Sequence, residues 1–344
     1  MYDILKLQQK IVPEMIELLQ KRYNILRTIY YNQPIGRRIL ADELGVGERI
    51  VRTEINFLKE QGLIKINTPG MSITSEGEDI ISRLKDFIHE LKGLSEIEKI
   101  IKDKLGIKDI VIVPGDIDED KTILNELGKA AANHFKGLIK NGYTVAITGG
   151  STIKEVIDNI PKVSNLKDVL VVPARGGIGR NVETQANNLA ASLAKKIGSS
   201  YKLLHVPDNL SDNALNTILN EKDIKEIVDN IHHADVLLYG IGRACKMAKR
   251  RGLSEEKIDE LSQLGAVGEA FGYYFNNKGK VIYSTPVIGI GNEDVKKIKN
   301  SVAVAAGKSK AEAIVAIEIH NSNSILITDE GAAREIINIL NKKE

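Results

Sequence analysis

The chain has 344 residues, of which 42% are hydrophobic and 27% charged, with a net charge of +2 and one cysteine. This composition is typical of a globular protein with room for two domains. A single cysteine excludes an internal disulfide, and no Cys/His group has the spacing of a zinc site. No apolar stretch approaches the roughly 18 residues of a membrane span, and no signal peptide is evident at the N-terminus. We therefore expect a cytoplasmic protein without cofactor, structural metal or membrane partner.

The first part of the chain has the periodicity of a small helical module. Apolar residues recur at helical spacing over residues 4–30, and Pro13 marks a break between two helices. Two shorter helical segments follow, 37–44 and 48–61. They are separated by Gly45-Val46-Gly47, which predicts a tight turn between them.

Strand-type sequence follows these helices. The runs 63–66 and 71–74 flank Asn67-Thr68-Pro69-Gly70, which predicts a hairpin. Three helices, a glycine turn and a terminal hairpin, in this order, predict a winged helix-turn-helix. Residues 20–75 carry nine Lys and Arg against five Asp and Glu, the excess that a nucleic-acid-binding module requires. A small helical cap on a larger enzyme is the alternative interpretation.

A helical linker is predicted after the winged module. Ser75-Glu76-Gly77-Glu78 and Ser95-Glu96-Ile97-Glu98 have the pattern of capping boxes and predict helices that extend to residues 91 and 105. The predicted domains are therefore a DNA-binding domain (1–75), a linker (76–108) and a C-terminal domain (109–344). The apolar face of the first linker helix has two open interpretations, pairing with a second copy of the chain or packing on its own domain.

From residue 109 onward, apolar runs of strand length alternate with helical patterns. These runs are 110–113, 145–147, 169–172, 203–206, 236–239, 302–305 and 325–327. Their continuous hydrophobicity predicts strands buried on both faces of a parallel sheet, and residues 272–290 predict an inserted hairpin. The expected fold class is therefore α/β, with a doubly wound domain whose ligands bind at the carboxyl ends of the strands.

Glycine-rich turns with hydroxyl or basic residues follow several of the predicted strands. Thr148-Gly149-Gly150-Ser151-Thr152 comes after the second strand and leads directly into a helical pattern. Backbone N–H groups converge at such turns and favour phosphate. Arg175 follows the third strand with a guanidinium fork, and residues 306–310 combine a glycine with two lysines. Two separate cationic loops suit a ligand with two phosphate groups, and Glu269 could accept a hydrogen bond from a sugar hydroxyl.

Six segments of the chain resemble the sugar-binding bacterial transcriptional regulators of the SorC type. They are PIGRRILADELGVGERIVRTEINFLKEQGL (34–63), AITGGSTI (146–153), VPARGGIG (172–179), GEAFGYYFN (268–276), KAEAI (310–314) and TDEGAA (328–333). The resemblance implies a repressor of a glycolytic operon that binds double-stranded operator DNA as a homodimer or homotetramer. It also implies an effector domain of the glucosamine-6-phosphate deaminase / ribose-5-phosphate isomerase type. The implied effector is fructose 1,6-bisphosphate or a related sugar phosphate.

The same resemblance implies an effector site by position. Its residues would be Gly149, Gly150, Ser151, Thr152, Arg175, Gly177, Gln185, Arg250, Glu269 and Lys310. Ser151 stands where relatives often have a second threonine, so the hydroxyl is kept. On the DNA side, segment 48–61 is predicted to enter the major groove, with Arg49 and Arg52 as candidates for base or phosphate contacts. Arg37, Arg38 and Lys65 are expected to touch the DNA backbone.

A phosphosugar isomerase or deaminase with an accessory N-terminal domain is the alternative function. Enzymes of that fold carry an Asp-Gly-His triplet just after G-I-G-x, where this chain has Ala244, Cys245 and Lys246. The acid and the imidazole that would transfer protons are therefore missing, although general acid–base chemistry requires such groups beside the substrate. The sequence predicts a sensor and not an enzyme.

Overall fold

The computed structural model describes residues 11–162, 166–177, 181–206, 212–285 and 288–342. The chain forms two compact units: one runs to Glu96 and includes Glu119–Thr122, and the other comprises Ile97–Asp118 and the chain from Ile123 onward. The predicted helical residues before Ile11, and residues 178–180 of the predicted turn after the third strand, lie outside the described part. None of the helices that the structure describes is sufficiently long and apolar to span a membrane.

The N-terminal unit has the predicted order of helices and hairpin. Its elements are α1 (Pro13–Asn32), α2 (Arg37–Leu44), α3 (Glu48–Glu60), β1 (Ile64–Asn67), β2 (Gly70–Ile73) and α4 (Ser75–Leu91), and α5 (Leu94–Leu105) begins in it. Helix α2 ends at Gly45, whose φ of +63° is the left-handed conformation that a glycine adopts without strain. The two strands pair antiparallel, with Ile66 opposite Met71. The winged helix-turn-helix is thereby confirmed.

The predicted capping boxes of the linker helices were wrong in detail. The cap of α4 is Thr74, whose Oγ1 accepts the N–H of Gly77 at 3.1 Å, because Thr74 and not Ser75 has the extended backbone of a cap. Ser95 lies inside α5, which begins at Leu94, and its hydroxyl donates to Glu90 Oε1 at 2.6 Å.

The apolar face of α4 packs within the N-terminal unit. Ile88 and Leu91 of α4 form a buried cluster with Ile16 and Tyr23 of α1. Packing on its own domain therefore accounts for this face of the helix. The domain limits at residues 75 and 108 remain a prediction.

The C-terminal unit is built on a seven-stranded parallel sheet, as predicted. The strands are β3 (Asp109–Val113), β4 (Thr144–Ile147), β5 (Leu170–Pro173), β6 (Ser200–Tyr201), β7 (Val236–Gly240), β12 (Asn300–Val304) and β13 (Ser324–Asp329), in the order β3-β13-β12-β7-β4-β5-β6. The helices are α6 (Ile123–Leu138), α7 (Ser151–Asn159), α8 (Ala186–Ile197), α9 (Asp212–Leu219), α10 (Lys222–His232), α11 (Ala244–Arg250), α12 (Glu255–Gln263), α13 (Asn292–Val295), α14 (Ala311–Glu318) and α15 (Glu330–Asn341). The doubly wound α/β class is confirmed.

One predicted strand, residues 203–206, was wrong. The strand lies earlier, at Ser200–Tyr201, and the backbone at Leu204 bonds to a side chain instead of to a neighbouring strand. Asn187 Oδ1 accepts the N–H of Leu204 at 3.0 Å, and Asn187 Nδ2 donates to its carbonyl at 3.1 Å. Leu204 and Val206 are buried, although their segment does not join the sheet.

A second, antiparallel sheet contains the predicted hairpin. Strands β10 (Tyr273–Asn276) and β11 (Val281–Ser284) form that hairpin, and β8 (Gly242–Arg243) and β9 (Ala266–Ala270) extend it to the order β11-β10-β9-β8. The sequence did not indicate β8 and β9, because these short segments are rich in Gly and Ala and lack an alternating pattern.

The parallel sheet changes direction between two of its neighbouring strands. From β4 the chain continues to β5 on one side, whereas from β7 it continues to β12 on the other side. The crevice outside the carboxyl ends of such a pair is where open α/β sheets bind ligands. Here the hydroxyl Oγ1 of Thr148, after β4, accepts the N–H of Gly240 at 3.3 Å.

A buried polar cluster lies between α14 and the sheet. Glu318 at the end of α14 is fully buried, and its Oε1 accepts the hydroxyl of Tyr239 at 2.6 Å. Burial raises the pKa of Glu318 to about 7, although hydrogen bonds from Ser324 and Tyr239 oppose the shift. In the folded protein the carboxyl group of Glu318 therefore stays largely protonated at pH values at which a solvent-exposed glutamic acid has lost its proton.

We expect Glu318→Gln to remove a pH dependence of stability. Between pH 4.5 and about 7 the unfolded chain releases this proton and the folded chain keeps it, so the wild-type free energy of unfolding falls as pH rises through this window. At pH 8 the wild type should have lost about 3 kcal/mol of its free energy of unfolding through this group, and the variant should not show this loss. Urea unfolding at pH 5 and pH 8 measures this effect. Exposed Glu312 on the same helix provides the control Glu312→Gln, and an equal pH dependence in all three proteins would contradict the prediction.

Candidate functional site

The turn after β4 is held close to the segment that precedes α8. The N–H of Gly150 donates to the carbonyl of Thr184 at 2.9 Å. A Cβ on Gly149 would stand 2.6 Å from the same carbonyl oxygen, so only glycine allows this approach. Helix α7 begins directly afterwards with Ser151 and Thr152, and no side chain caps it among the described residues. Its first N–H groups lack partners within the helix and suit an anion.

Two further predicted residues lie beside this turn. Arg250, at the end of α11, donates from Nη2 to the hydroxyl of Thr184 at 3.2 Å, and its side chain is otherwise exposed. Gln185 follows Thr184 directly and precedes α8. Thr184 thus joins the Gly149-Gly150 turn to Arg250, a role for which the sequence carried no signal.

Arg175 is half-buried in the turn after β5, which backbone contacts hold in place. The N–H of Gly176 donates to the carbonyl of Ile288 at 2.8 Å, and the N–H of Ile290 donates to the carbonyl of Ala174 at 2.8 Å. The Nε of Arg175 donates to the carbonyl of Gly176 at 3.3 Å. Gly177, the next predicted residue, ends this described segment.

Glu269 lies in β9 and is already paired with a cation. Its Oε1 accepts from Arg251 Nη2 at 2.5 Å and from the N–H of Gly272 at 2.7 Å. Tyr274 stands opposite Glu269 in the next strand, and burial raises the pKa of its hydroxyl to about 12. The charge of Glu269 raises this pKa further, whereas the charges of Arg251 and Arg175 lower it, so Arg175 lies within electrostatic range of this group.

In the turn after β12, carboxylates already accept from the backbone N–H groups. The N–H of Gly307 donates to both oxygens of Asp329, at 2.9 and 3.0 Å, and the N–H of Ser309 donates to Asp118 Oδ2 at 2.9 Å. These backbone donors are occupied by carboxylates, so the turn does not offer them to a phosphate. The ammonium of Lys310 lies at the start of α14, the helix that follows this turn.

The environment of Lys310 combines charges of both signs. Burial lowers the pKa of its ammonium, nearby Lys246 lowers it further, and Asp329 and Asp118 act in the opposite direction. A desolvated ammonium beside a second lysine gains from an anion, because the anion stabilises both charges.

The structure places the Gly149–Thr152 turn, Arg175 and Lys310 after β4, β5 and β12, at the carboxyl edge of the parallel sheet, whereas Arg250 ends α11 and Glu269 lies in β9 of the antiparallel sheet. Direct contacts through Thr184 join the Gly149-Gly150 turn to Arg250, and the charges of Arg175 and Glu269 both act on the hydroxyl of Tyr274. No described hydrogen bond joins Lys310 to either group, although β12 pairs with β7.

The DNA-binding residues predicted on α3 lie on its exposed side. Arg49 and Arg52 are exposed, whereas Val51, Ile55 and Leu58 are buried under the helix. Three more predicted cations are also exposed: Arg37, Arg38 and Lys65. This exposure permits contact with a DNA groove and backbone.

Buried Glu54 anchors α3 to α1. Its carboxylate pairs with Lys21 and Arg22, each at 2.9 Å, and the Arg22 guanidinium lies 3.6 Å from the centre of the Phe57 ring. Burial by itself would raise the pKa of Glu54, but the hydrogen bonds and charges of Lys21 and Arg22 outweigh burial and hold it below its ordinary value. Two of the basic residues near α3 therefore support the helix and are not free for DNA.

Two protein families match the chain in sequence. The family of sugar-binding domains matches residues 89–338, and the CggR N-terminal DNA-binding domain matches residues 18–88. The chain belongs to the SorC-type family of sugar-binding transcriptional regulators. As a member of that family it joins a DNA-binding domain to a sugar-binding domain, and its effector is expected to be derived from a sugar.

Curated relatives of this SorC-type regulator match over nearly their full length. It is 44% identical to the central glycolytic genes regulator of Priestia megaterium, over 99% of this chain and 100% of the relative. It is 41% identical to the central glycolytic genes regulator of Bacillus subtilis, over 98% of this chain and 99% of the relative. The predicted resemblance is confirmed.

Solved structures agree with this assignment. A SorC family transcriptional regulator from Enterococcus faecalis is 40% identical and covers 70% of this chain and 99% of its own, with a TM-score of 0.65. The match to the full-length sorbitol operon regulator SorC from Klebsiella pneumoniae covers 94% of this chain and 98% of that protein, with a TM-score of 0.64. At 21% identity this match supports the fold alone. These proteins are transcriptional regulators, which agrees with the prediction that this SorC-type regulator is not an enzyme.

Proposed function

We propose that this regulator is the repressor of a glycolytic operon, and that fructose 1,6-bisphosphate releases it from its operator. The observation that carries the proposal is the group of anion-binding features at one sheet edge: the uncapped start of α7, Arg175, Arg250 and Lys310. The two relatives named as central glycolytic genes regulators support the choice of operon. The protein would act in the cytoplasm as a homodimer or homotetramer on double-stranded DNA.

Within the site, we assign phosphate contacts to the Gly149–Thr152 turn and to the basic residues Arg175, Arg250 and Lys310, and a hydroxyl contact to Glu269. One phosphate group would bind between the Gly149–Thr152 turn and Arg250, and the other near Lys310. To shift operator occupancy from about 99:1 to 1:99, the ligand must favour the DNA-incompetent arrangement by ~5.5 kcal/mol. Charge-assisted hydrogen bonds of roughly 1.5–3 kcal/mol each can supply this free energy.

We expect fluorescence anisotropy to reveal this response directly. The full-length protein would be bound, at fixed salt, to labelled DNA from upstream of its own operon, because the affinity depends steeply on salt. Fructose 1,6-bisphosphate should release the DNA, whereas fructose 6-phosphate and glucose 6-phosphate at the same concentration should release much less. Tight DNA binding that is indifferent to all three sugars would contradict the proposed effector, and absence of DNA binding would contradict the repressor.

A further inference from the structure

Two adjacent arginines at the end of α11 have different partners. Arg250 is exposed and donates to the hydroxyl of Thr184. Arg251 is only 18% exposed in its side chain and donates to Glu269. The end of one helix thus supplies one guanidinium to Thr184, beside the glycine turn after β4, and another to the carboxylate of Glu269 in β9.

Arg251 compensates the negative charge of the buried Glu269. Glu269 is 3% exposed, and an unpaired carboxylate in such a place is strongly disfavoured. Arg251 supplies the opposite charge at 2.5 Å and the N–H of Gly272 adds a second donor at 2.7 Å. Removing the cation would leave the carboxylate buried and uncompensated, so the position of Glu269 depends on Arg251.

Both of these donors bind the same carboxylate oxygen. They occupy Oε1, and among the described residues no hydrogen bond is made to Oε2. An ionised carboxylate oxygen accepts hydrogen bonds and cannot donate. It therefore suits a hydroxyl group, whereas it repels a phosphate. Fixing Oε1 sets the direction in which Oε2 can accept.

The buried residues that pack with Tyr274, next to this pair, are apolar. Tyr274, opposite Glu269, packs with Ala248, Ile258 and Leu261, and its hydroxyl is buried without a partner among the described residues. Arg251 Nε is likewise buried without a described partner. Unmade hydrogen bonds of this kind lower stability, and an apolar pair would fit the cluster better.

We propose that Arg251 is a positioning residue, which holds Glu269 Oε1 so that Oε2 accepts a hydroxyl of the effector's sugar. The inference rests on the proposed function and adds selectivity to it. The Gly149–Thr152 turn and the basic residues bind the two phosphate groups. The Arg251–Glu269 pair distinguishes a sugar bisphosphate, which has hydroxyl groups, from a bisphosphate without them. Arg251 itself does not touch the ligand.

The test compares two ligands of similar phosphate spacing by titration calorimetry on the full-length protein. Fructose 1,6-bisphosphate carries hydroxyls, and 1,6-hexanediol bisphosphate does not. We expect the wild type to bind the sugar at least about 10-fold more tightly. Arg251→Met and Glu269→Gln should each bring this ratio close to one, by weakening binding of the sugar and not of the diol derivative. Arg251→Lys should restore part of the ratio.

A double variant and a matched control complete the test. Arg251→Met/Glu269→Gln removes both charges, so it should fold without a buried unpaired carboxylate and should discriminate no worse than either single variant. Lys249→Met, an exposed cation on the same helix, should behave as the wild type. A wild type that does not bind the sugar bisphosphate would overturn the proposed function and this inference with it. A wild type that discriminates, with an Arg251→Met variant that discriminates equally, would overturn the inference alone.

Discussion

Arg175→Ala should abolish the response to fructose 1,6-bisphosphate while operator binding stays intact. The guanidinium can form two charge-assisted hydrogen bonds to one phosphate, and their loss at roughly 1.5–3 kcal/mol each weakens effector binding by about 100-fold or more. The turn itself should survive, because backbone bonds of Gly176 and Ile290 hold it. Fluorescence anisotropy with increasing effector measures the concentration at which half of the DNA is released.

The control for this variant is Lys195→Ala, which removes an exposed cation from the last turn of α8 in the same unit. It should leave the release concentration unchanged, so that a general loss of positive charge is excluded as the cause. If Arg175→Ala released DNA at the wild-type effector concentration, Arg175 would not belong to the effector site.

Arg52→Ala should have the opposite effect, with weakened operator binding and intact effector binding. Arg52 is exposed on α3, whose buried side is packed through Val51 and Ile55, so the substitution should not disturb the fold. A bidentate contact to a base contributes roughly 1–3 kcal/mol, which corresponds to an operator affinity about 5- to 150-fold lower. Anisotropy on operator and on random DNA measures both affinities.

The comparison of the two DNAs decides between the two kinds of contact that Arg52 could make. A base contact predicts a loss on the operator alone, whereas a phosphate contact predicts an equal loss on both DNAs and a reduced dependence on salt. Lys59→Ala, in the last turn of the same helix, should have little effect, since recognition helices contact bases through their N-terminal residues. Unchanged operator affinity in Arg52→Ala would refute its role.

Prediction from sequence succeeded where the signal was local. The winged module could be predicted because its segments have regularly spaced apolar residues. Glycines at 45 and 47 and the turn at 67–70 separate these segments. The Gly149–Thr152 turn could be predicted for the same reason, since it separates an apolar strand from a helix. The short strands β8 and β9 and the cap at Thr74 were missed because their signals are weak or displaced by one residue.

The sequence alone established the fold class, the order of the elements and the residue types available for an anion, because hydrophobic periodicity and turn chemistry are properties of neighbouring residues. Only the tertiary structure decided which of these groups are free. Asp329 and Asp118 occupy the N–H groups of the turn after β12, Arg251 and not Arg250 compensates Glu269, and Lys21 and Arg22 are paired with Glu54. Each of these partners is distant in the chain or lies on another strand, so the pairing of charges emerges only when the sheets and helices pack together.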